Sequence, residues 1–141
     1  MKLDQVIYTA HAKSTGGRQG TSRTSDGYVD VKLTMPKEFG GPGGAGTNPE
    51  QLFAMGFSAC FISTMKYVAA LEKIHIPDDT FIDASVGIGK IGDGFNIEAE
   101  LRITAPGMDR AVVQSIVDKS EKVCAYSNAT HGNIELKLTV V

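Results

Sequence analysis

The chain holds two cysteines, Cys60 and Cys124, and they sit in different settings. Cys60 falls in the middle of a long apolar run, Phe53 to Leu71, that reads as helix. Cys124 follows a second helical pattern and opens the segment Cys124-Ala125-Tyr126-Ser127-Asn128. One thiol buried inside a helix and another at a helix end suit a peroxide-reducing dithiol. In such a pair one thiolate attacks, and the other resolves the resulting sulfenic acid as a disulfide. The same two residues also suit plain packing, because free cysteine is among the most buried residue types. The thiols alone leave both readings open.

At 141 residues the chain suits a single domain with a real core. A net charge of -2, with no Lys/Arg cluster, argues against electrostatic binding of nucleic acid. Met1-Lys2-Leu3-Asp4-Gln5 lacks the apolar stretch of a signal peptide. The longest uncharged run, Gln51 to Met65, falls short of the roughly 20 residues that span a bilayer. The expectation is a cytoplasmic protein with neither nucleic-acid nor membrane partners. In a reducing compartment a cysteine pair is more often catalytic or redox-sensing than a permanent staple.

The thiols must be positioned by an α+β fold. Val6 to Lys13 reads as a first strand, followed by the glycine-rich turn Thr15-Gly16-Gly17-Arg18-Gln19-Gly20. Val29, Val31, Leu33 and Met35 alternate with polar residues, predicting a half-buried strand that ends at Pro36. The loop Gly40 to Gly46 leads into Thr47-Asn48-Pro49-Glu50, a strong helix start. There Asn48 can cap, Pro49 fits the first helical position, and Thr47 and Glu50 have capping-box spacing. The helix from Pro49 to about Lys73 is apolar nearly all round, which predicts burial on every side. Ile82 to Ile91 and Phe95 to Thr104 read as a hairpin about Gly92-Asp93-Gly94. A second helix follows Pro106-Gly107 and buries Val112, Val113, Ile116 and Val117; Ile134 to Val140 is a last strand. The predicted order is ββ-α-ββ-α-β: an antiparallel sheet around a long buried central helix. One small sheet cannot cover such a helix, so a second copy of the chain is expected against it as an obligate homodimer.

Three segments resemble the Ohr/OsmC family, in its organic hydroperoxide resistance branch. Gly40-Gly41-Pro42-Gly43-Gly44-Ala45-Gly46-Thr47-Asn48-Pro49-Glu50-Gln51-Leu52-Phe53, continuing to Phe57-Ser58-Ala59-Cys60-Phe61, is similar to that branch's peroxidatic-cysteine segment. Val123-Cys124-Ala125-Tyr126-Ser127-Asn128-Ala129-Thr130-His131-Gly132-Asn133 resembles its resolving-cysteine segment, and Thr15-Gly16-Gly17-Arg18 its active-site arginine loop. The resemblance spans essentially the whole chain. It implies an OsmC-like fold in an intertwined homodimer, and reduction of organic hydroperoxides in oxidative-stress defence. It also implies attack by Cys60, resolution by Cys124, no metal or cofactor, and recycling by a dithiol of the dihydrolipoyl type. Two positions depart from the family pattern: Ala125 stands where proline is usual, and His131 where arginine is usual.

The chemistry of the thiol points the same way. A free thiol has a pKa near 8.5, so little thiolate is present at neutral pH. Cys60 lies too far into its helix to gain from the positive N-terminal end, and apolar burial disfavours the thiolate further. A cation must reach it, and Arg18 is the candidate, because its planar fork can hold a thiolate and a peroxide oxygen together. Glu50 can orient that fork. Phe39, Phe53, Phe57, Phe61 and Met65 would line a pocket favouring alkyl or lipid hydroperoxides, although core packing is the commoner use of any one of them. Glu50 and Cys60 lie about 15 Å apart along a straight helix and point about 80° apart. Arg18 and Glu50 of one subunit are therefore expected to meet Cys60 of the other.

Other chemistries fit less well. The glycine loop lacks the Gly-Lys-Ser/Thr ending of a phosphate-binding loop. His11, His75 and His131 have no ligand spacing with either cysteine, so no metal site is expected. A Cys-His hydrolase is a minor alternative. The main alternative is a redox sensor or lipid-binding protein in which the cysteine pair is a switch.

Overall fold

Glycine turns the chain back on itself early. Gly16 and Gly17 take φ of 70° and 57°, and a Cβ on Gly20 would fall 1.7 Å from the carbonyl oxygen of Thr15. That turn joins β1 (Ala12–Thr15) to β2 (Thr21–Thr24), and β3 (Asp30–Lys32) completes a three-stranded antiparallel sheet in the order β1-β2-β3. The computed structural model describes every residue from Met1 to Val141 and divides into two units, Met1–Pro49 and Glu50–Val141.

In the first unit the sequence expectations need correction. The strand expected over Val6 to Lys13 starts only at Ala12, and Val6, Ile7 and Tyr8 are exposed outside any strand. β propensity makes a strand only where a ladder partner is in reach. The polar β2, Thr-Ser-Arg-Thr, carried no alternation to reveal it; its neighbours on either side hold it in the sheet. The alternating run ending at Met35 contributes just three residues to the sheet. Beyond them Leu33 is buried and bridges to Thr47 in parallel, which brings the end of the glycine loop back beside β3.

The second unit follows its sequence closely. Helix α1 (Pro49–Leu71) starts at the expected proline. Beyond its last turn Lys73 takes φ 57°, with Ile74 N donating to Ala69 O at 2.8 Å and Lys73 N to Ala70 O at 3.0 Å. These paired bonds satisfy the last carbonyls of the helix through one left-handed residue. β4 (Phe81–Ile91) and β5 (Gly94–Thr104) pair across the tight turn at Gly92-Asp93. Helix α2 (Arg110–Val123) is capped by Asp109, whose carboxylate accepts from Ala111 N and Val112 N. A short helix α3 (Ala125–Thr130), not foreseen from sequence, precedes β6 (Leu136–Val140), which lies parallel to β5. The order is therefore βββ-α-ββ-αα-β in two small sheets, in place of ββ-α-ββ-α-β.

One core fills this unit: Phe57, Phe61, Met65, Val68 and Ala69 of α1, Ala99, Leu101 and Ile103 of β5, and Val113, Ile116 and Val117 of α2, with Cys124 and Val140. Burial of α1 on every side is not what the chain does. Its outer face leaves Met55, Tyr67 and Leu71 exposed beside Ala59, Ser63 and Lys66. By length and composition α1 is also apolar enough to cross a membrane, because the single charge at Lys66, which ends the uncharged run, does not offset its apolar length. Its inner face packs as a core helix does.

Candidate active site

Phe53, Gly56, Phe57 and Cys60 recur at i, i+3, i+4 and i+7, so α1 carries them as one stripe. Phe57 is fully buried, whereas Phe53 and Cys60 are half-buried. The second thiol arrives from the junction of α2 and α3. Cys124 closes α2, its N–H bonding Ser120 O at 2.8 Å, and opens α3, its carbonyl accepting from Asn128 N at 2.9 Å. Between those bonds its backbone is extended, with φ -61° and ψ 127°, which breaks the two helices apart and turns the side chain inward. The two sulfurs lie 3.7 Å apart, both as free thiols, with Cys124 fully buried.

The surroundings of Cys60 pull its ionisation in opposite directions. Burial is the largest influence and raises its pKa, and the neighbouring Cys124 raises it further. The backbone N–H groups of Tyr126 and Ala125 face the Cys60 sulfur and lower it, without reversing the rise.

Tyr126 was missed from sequence. Its ring centroid lies 5.8 Å from that of Phe53 and 5.6 Å from that of Phe57, while Phe53 and Phe57 meet edge to face at 5.7 Å. A Cβ on Gly56 would sit 2.8 Å from its phenolic oxygen, so Gly56 is where the tyrosine meets the helix. One signal was available. A glycine in mid-helix costs about 1 kcal/mol relative to alanine, so its presence in an otherwise good helix points to close approach by another group. Gly56 does not interrupt α1, which runs unbroken from Pro49 to Leu71.

The other expected site residues fall as follows. Arg18 lies in the single 3₁₀ turn Gly17–Gln19, half-buried, with its guanidinium 5.0 Å above the ring of Phe39. Phe39 is in the turn Lys37–Phe39 and is partly exposed. These two are brought together within the first unit, a cation over an aromatic face. Glu50 is half-buried in the first turn of α1, where a carboxylate suits the helix dipole. Phe61 and Met65 have no exposed surface and belong to the core with Phe57, so none of the three forms an open wall. Phe53 and Phe39 each keep exposed surface. Two surface hollows lie elsewhere, along His11 to Asp30 and over Gly87 to Ile91.

Known proteins share this fold. Residues 41–139 match the family model of OsmC-like proteins. The chain is 58% identical over 137 residues to the Organic hydroperoxide resistance protein of Xanthomonas axonopodis pv. citri (strain 306), covering 97% of this chain and 96% of that one. Among solved structures, an organic hydroperoxide resistance protein from Legionella pneumophila superposes with a TM-score of 0.90 at 41% identity, covering 96% of this chain and 98% of its own. The OhrB protein of Bacillus subtilis gives a TM-score of 0.87 at 36% identity, covering 96% and 100%. The α+β fold with its two small sheets and three helices is thus the OsmC fold, and the chain belongs to the Ohr/OsmC family.

Proposed function

We propose that this chain is a cytoplasmic thiol-dependent peroxidase that reduces organic hydroperoxides, alkyl or lipid, to alcohols in defence against oxidative stress. The observation that carries the reading is the thiol pair at 3.7 Å, one half-exposed and one fully buried. That asymmetry supports an order of steps. The Cys60 thiolate attacks the terminal peroxide oxygen; an S–O bond forms, the O–O bond breaks, and the alkoxide leaves as the alcohol after taking a proton. The Cys124 thiol, deprotonated, then attacks the Cys60 sulfenic sulfur. An S–S bond forms, the S–O bond breaks, and hydroxide leaves with a proton as water. A dithiol reductant of the dihydrolipoyl type returns both thiols by two exchanges.

Because burial raises the Cys60 thiol, attack at neutral pH needs a cation. Arg18 of one subunit supplies it to Cys60 of the other, oriented by Glu50, and Phe39 beneath the guanidinium keeps the fork flat and partly dry. Apolar surface at Phe53 and Phe39 favours an organic tail over hydrogen peroxide. The names of the relatives, organic hydroperoxide resistance proteins, support the same substrate class. The exposed stripe on α1 supports a homodimer.

The test is stopped-flow oxidation of the reduced protein by cumene hydroperoxide and by hydrogen peroxide. The organic peroxide should react faster by at least about tenfold, a difference of roughly 1.4 kcal/mol in barrier. Equal rates would remove the claimed substrate class. Continued turnover with a reducible dithiol separates the enzyme from the sensor reading, since a sensor reacts once and stops.

A further inference from the structure

We infer that Tyr126, seated on Gly56, is the positioning residue that sets how fast the Cys60–Cys124 disulfide closes. The inference rests on the proposed reading of the pair as redox-active.

Four positions of one helical stripe are engaged by one short segment. Tyr126 covers Phe53, Gly56 and Phe57, and Cys124, two residues earlier, brings its sulfur to Cys60 one turn further along. The contact at Gly56 is close on three atoms: a Cβ there would meet the phenolic oxygen at 2.8 Å and two ring carbons at 3.3 and 3.4 Å. Only glycine lets the ring edge lie against the helix at that depth. Tyr126 is 36% exposed, so it is not a core filler; its ring is spent on the stripe. The Cys124 backbone between the ring and the sulfur is held at both ends, by Ser120 O and Asn128 N, so the ring position is passed on to the sulfur with little slack. The same seat aims the Ala125 and Tyr126 N–H groups at the Cys60 sulfur.

Closing the disulfide takes the sulfurs from 3.7 Å to about 2.05 Å, a small step only while the junction stays seated. A misplacement of about 1 Å can cost up to about 100-fold in such an intramolecular attack. Gly56→Ala should unseat the ring while helping α1 as a helix. Tyr126→Ala removes the seat from the other side, and Tyr126→Phe retains the ring and serves as rescue.

The experiment follows closure without peroxide, using 2,2′-dipyridyl disulfide and the release of pyridine-2-thione. Cys60 attacks first, forming a mixed disulfide and expelling one thione. Cys124 then attacks the Cys60 sulfur, forming the intramolecular disulfide and expelling the second. In Gly56→Ala and Tyr126→Ala the second release should slow by about tenfold or more relative to the first. Tyr126→Phe should stay within about twofold of wild type in that ratio. An unchanged ratio in Tyr126→Ala, or in Gly56→Ala with circular dichroism showing a folded chain, overturns the inference. So does a Tyr126→Phe ratio as low as that of Tyr126→Ala. Wild type that closes quickly with this reagent yet ignores cumene hydroperoxide would sink the peroxidase reading and leave the positioning role standing.

Discussion

Cys60 is a thiol whose surroundings oppose its ionisation, and each lever on it can be tested alone. Ala125 is one lever. Its N–H faces the Cys60 sulfur, and a proline there would have none to offer. The backbone would accept the change, since Ala125 is the first residue of α3 and Cys124 before it is already extended. Ala125→Pro should therefore move the midpoint of Cys60 alkylation by iodoacetamide to higher pH with little change in stability. The sign follows from the donor: a lost N–H destabilises the thiolate, so a higher pH is needed to form it. An unchanged or lower midpoint would remove the amide from the account. The cation proposed for Arg18 is a second lever. Arg18→Lys should fail in peroxide consumption nearly as badly as Arg18→Ala, because a point charge cannot reproduce a planar fork over Phe39. Wild-type rates in Arg18→Lys would show that charge alone suffices. At the thiols themselves, Cys60→Ser should abolish peroxide consumption. Cys124→Ser should react once, then stall and over-oxidise toward sulfinic acid, visible by mass spectrometry.

At the scale of elements, legibility tracked how far each segment makes its own case. The start of α1 was written in Pro49, the hairpin in Gly92-Asp93, and the inner face of α2 in the spacing of Val113, Ile116 and Val117. β2 was not legible, because a polar strand between two neighbours owes its existence to the ladder. Helix α3 was hidden by its brevity and by the break at Cys124. Of the site, the two cysteines stood out by type and their pairing followed from the family resemblance, while Tyr126 could not be read. Its role depends on a glycine 70 positions earlier, which only the fold brings beneath it. The left-handed Lys73 at the end of α1 offers an element-scale test. That conformation costs an L-residue about 1–2 kcal/mol, partly offset by the entropy glycine loses on folding. Lys73→Gly should thus stabilise by about 0.5–1 kcal/mol and raise Tm by about 2–4 °C. Calorimetry showing a drop would mean the lysine side chain makes a contact worth more than the strain.

For the whole molecule, the question raised by α1 is what covers its outer face. Met55, Tyr67 and Leu71 lie on the side away from the core, and a soluble chain seldom leaves such a stripe open to water. The proposed homodimer answers this. Wild type should sediment as a pair, and Tyr67→Glu with Leu71→Glu should shift it toward a single chain. A wild type that sediments as a single chain at micromolar concentration would remove the partner.

The placement of the two sulfurs also bears on how the protein withstands heat. Cys60 and Cys124 are 64 positions apart in sequence, so a bond between them would enclose nearly half the chain as a loop. Cross-links over loops of that length restrict the unfolded ensemble by on the order of 4 kcal/mol, which corresponds to roughly 10 °C in melting temperature. The oxidised molecule would then be the sturdier form: hardest to melt or to digest while its electrons are spent, and softening again when a reductant restores them. Melting curves taken before and after one equivalent of oxidant would display that alternation, with proteolysis rates following the same order.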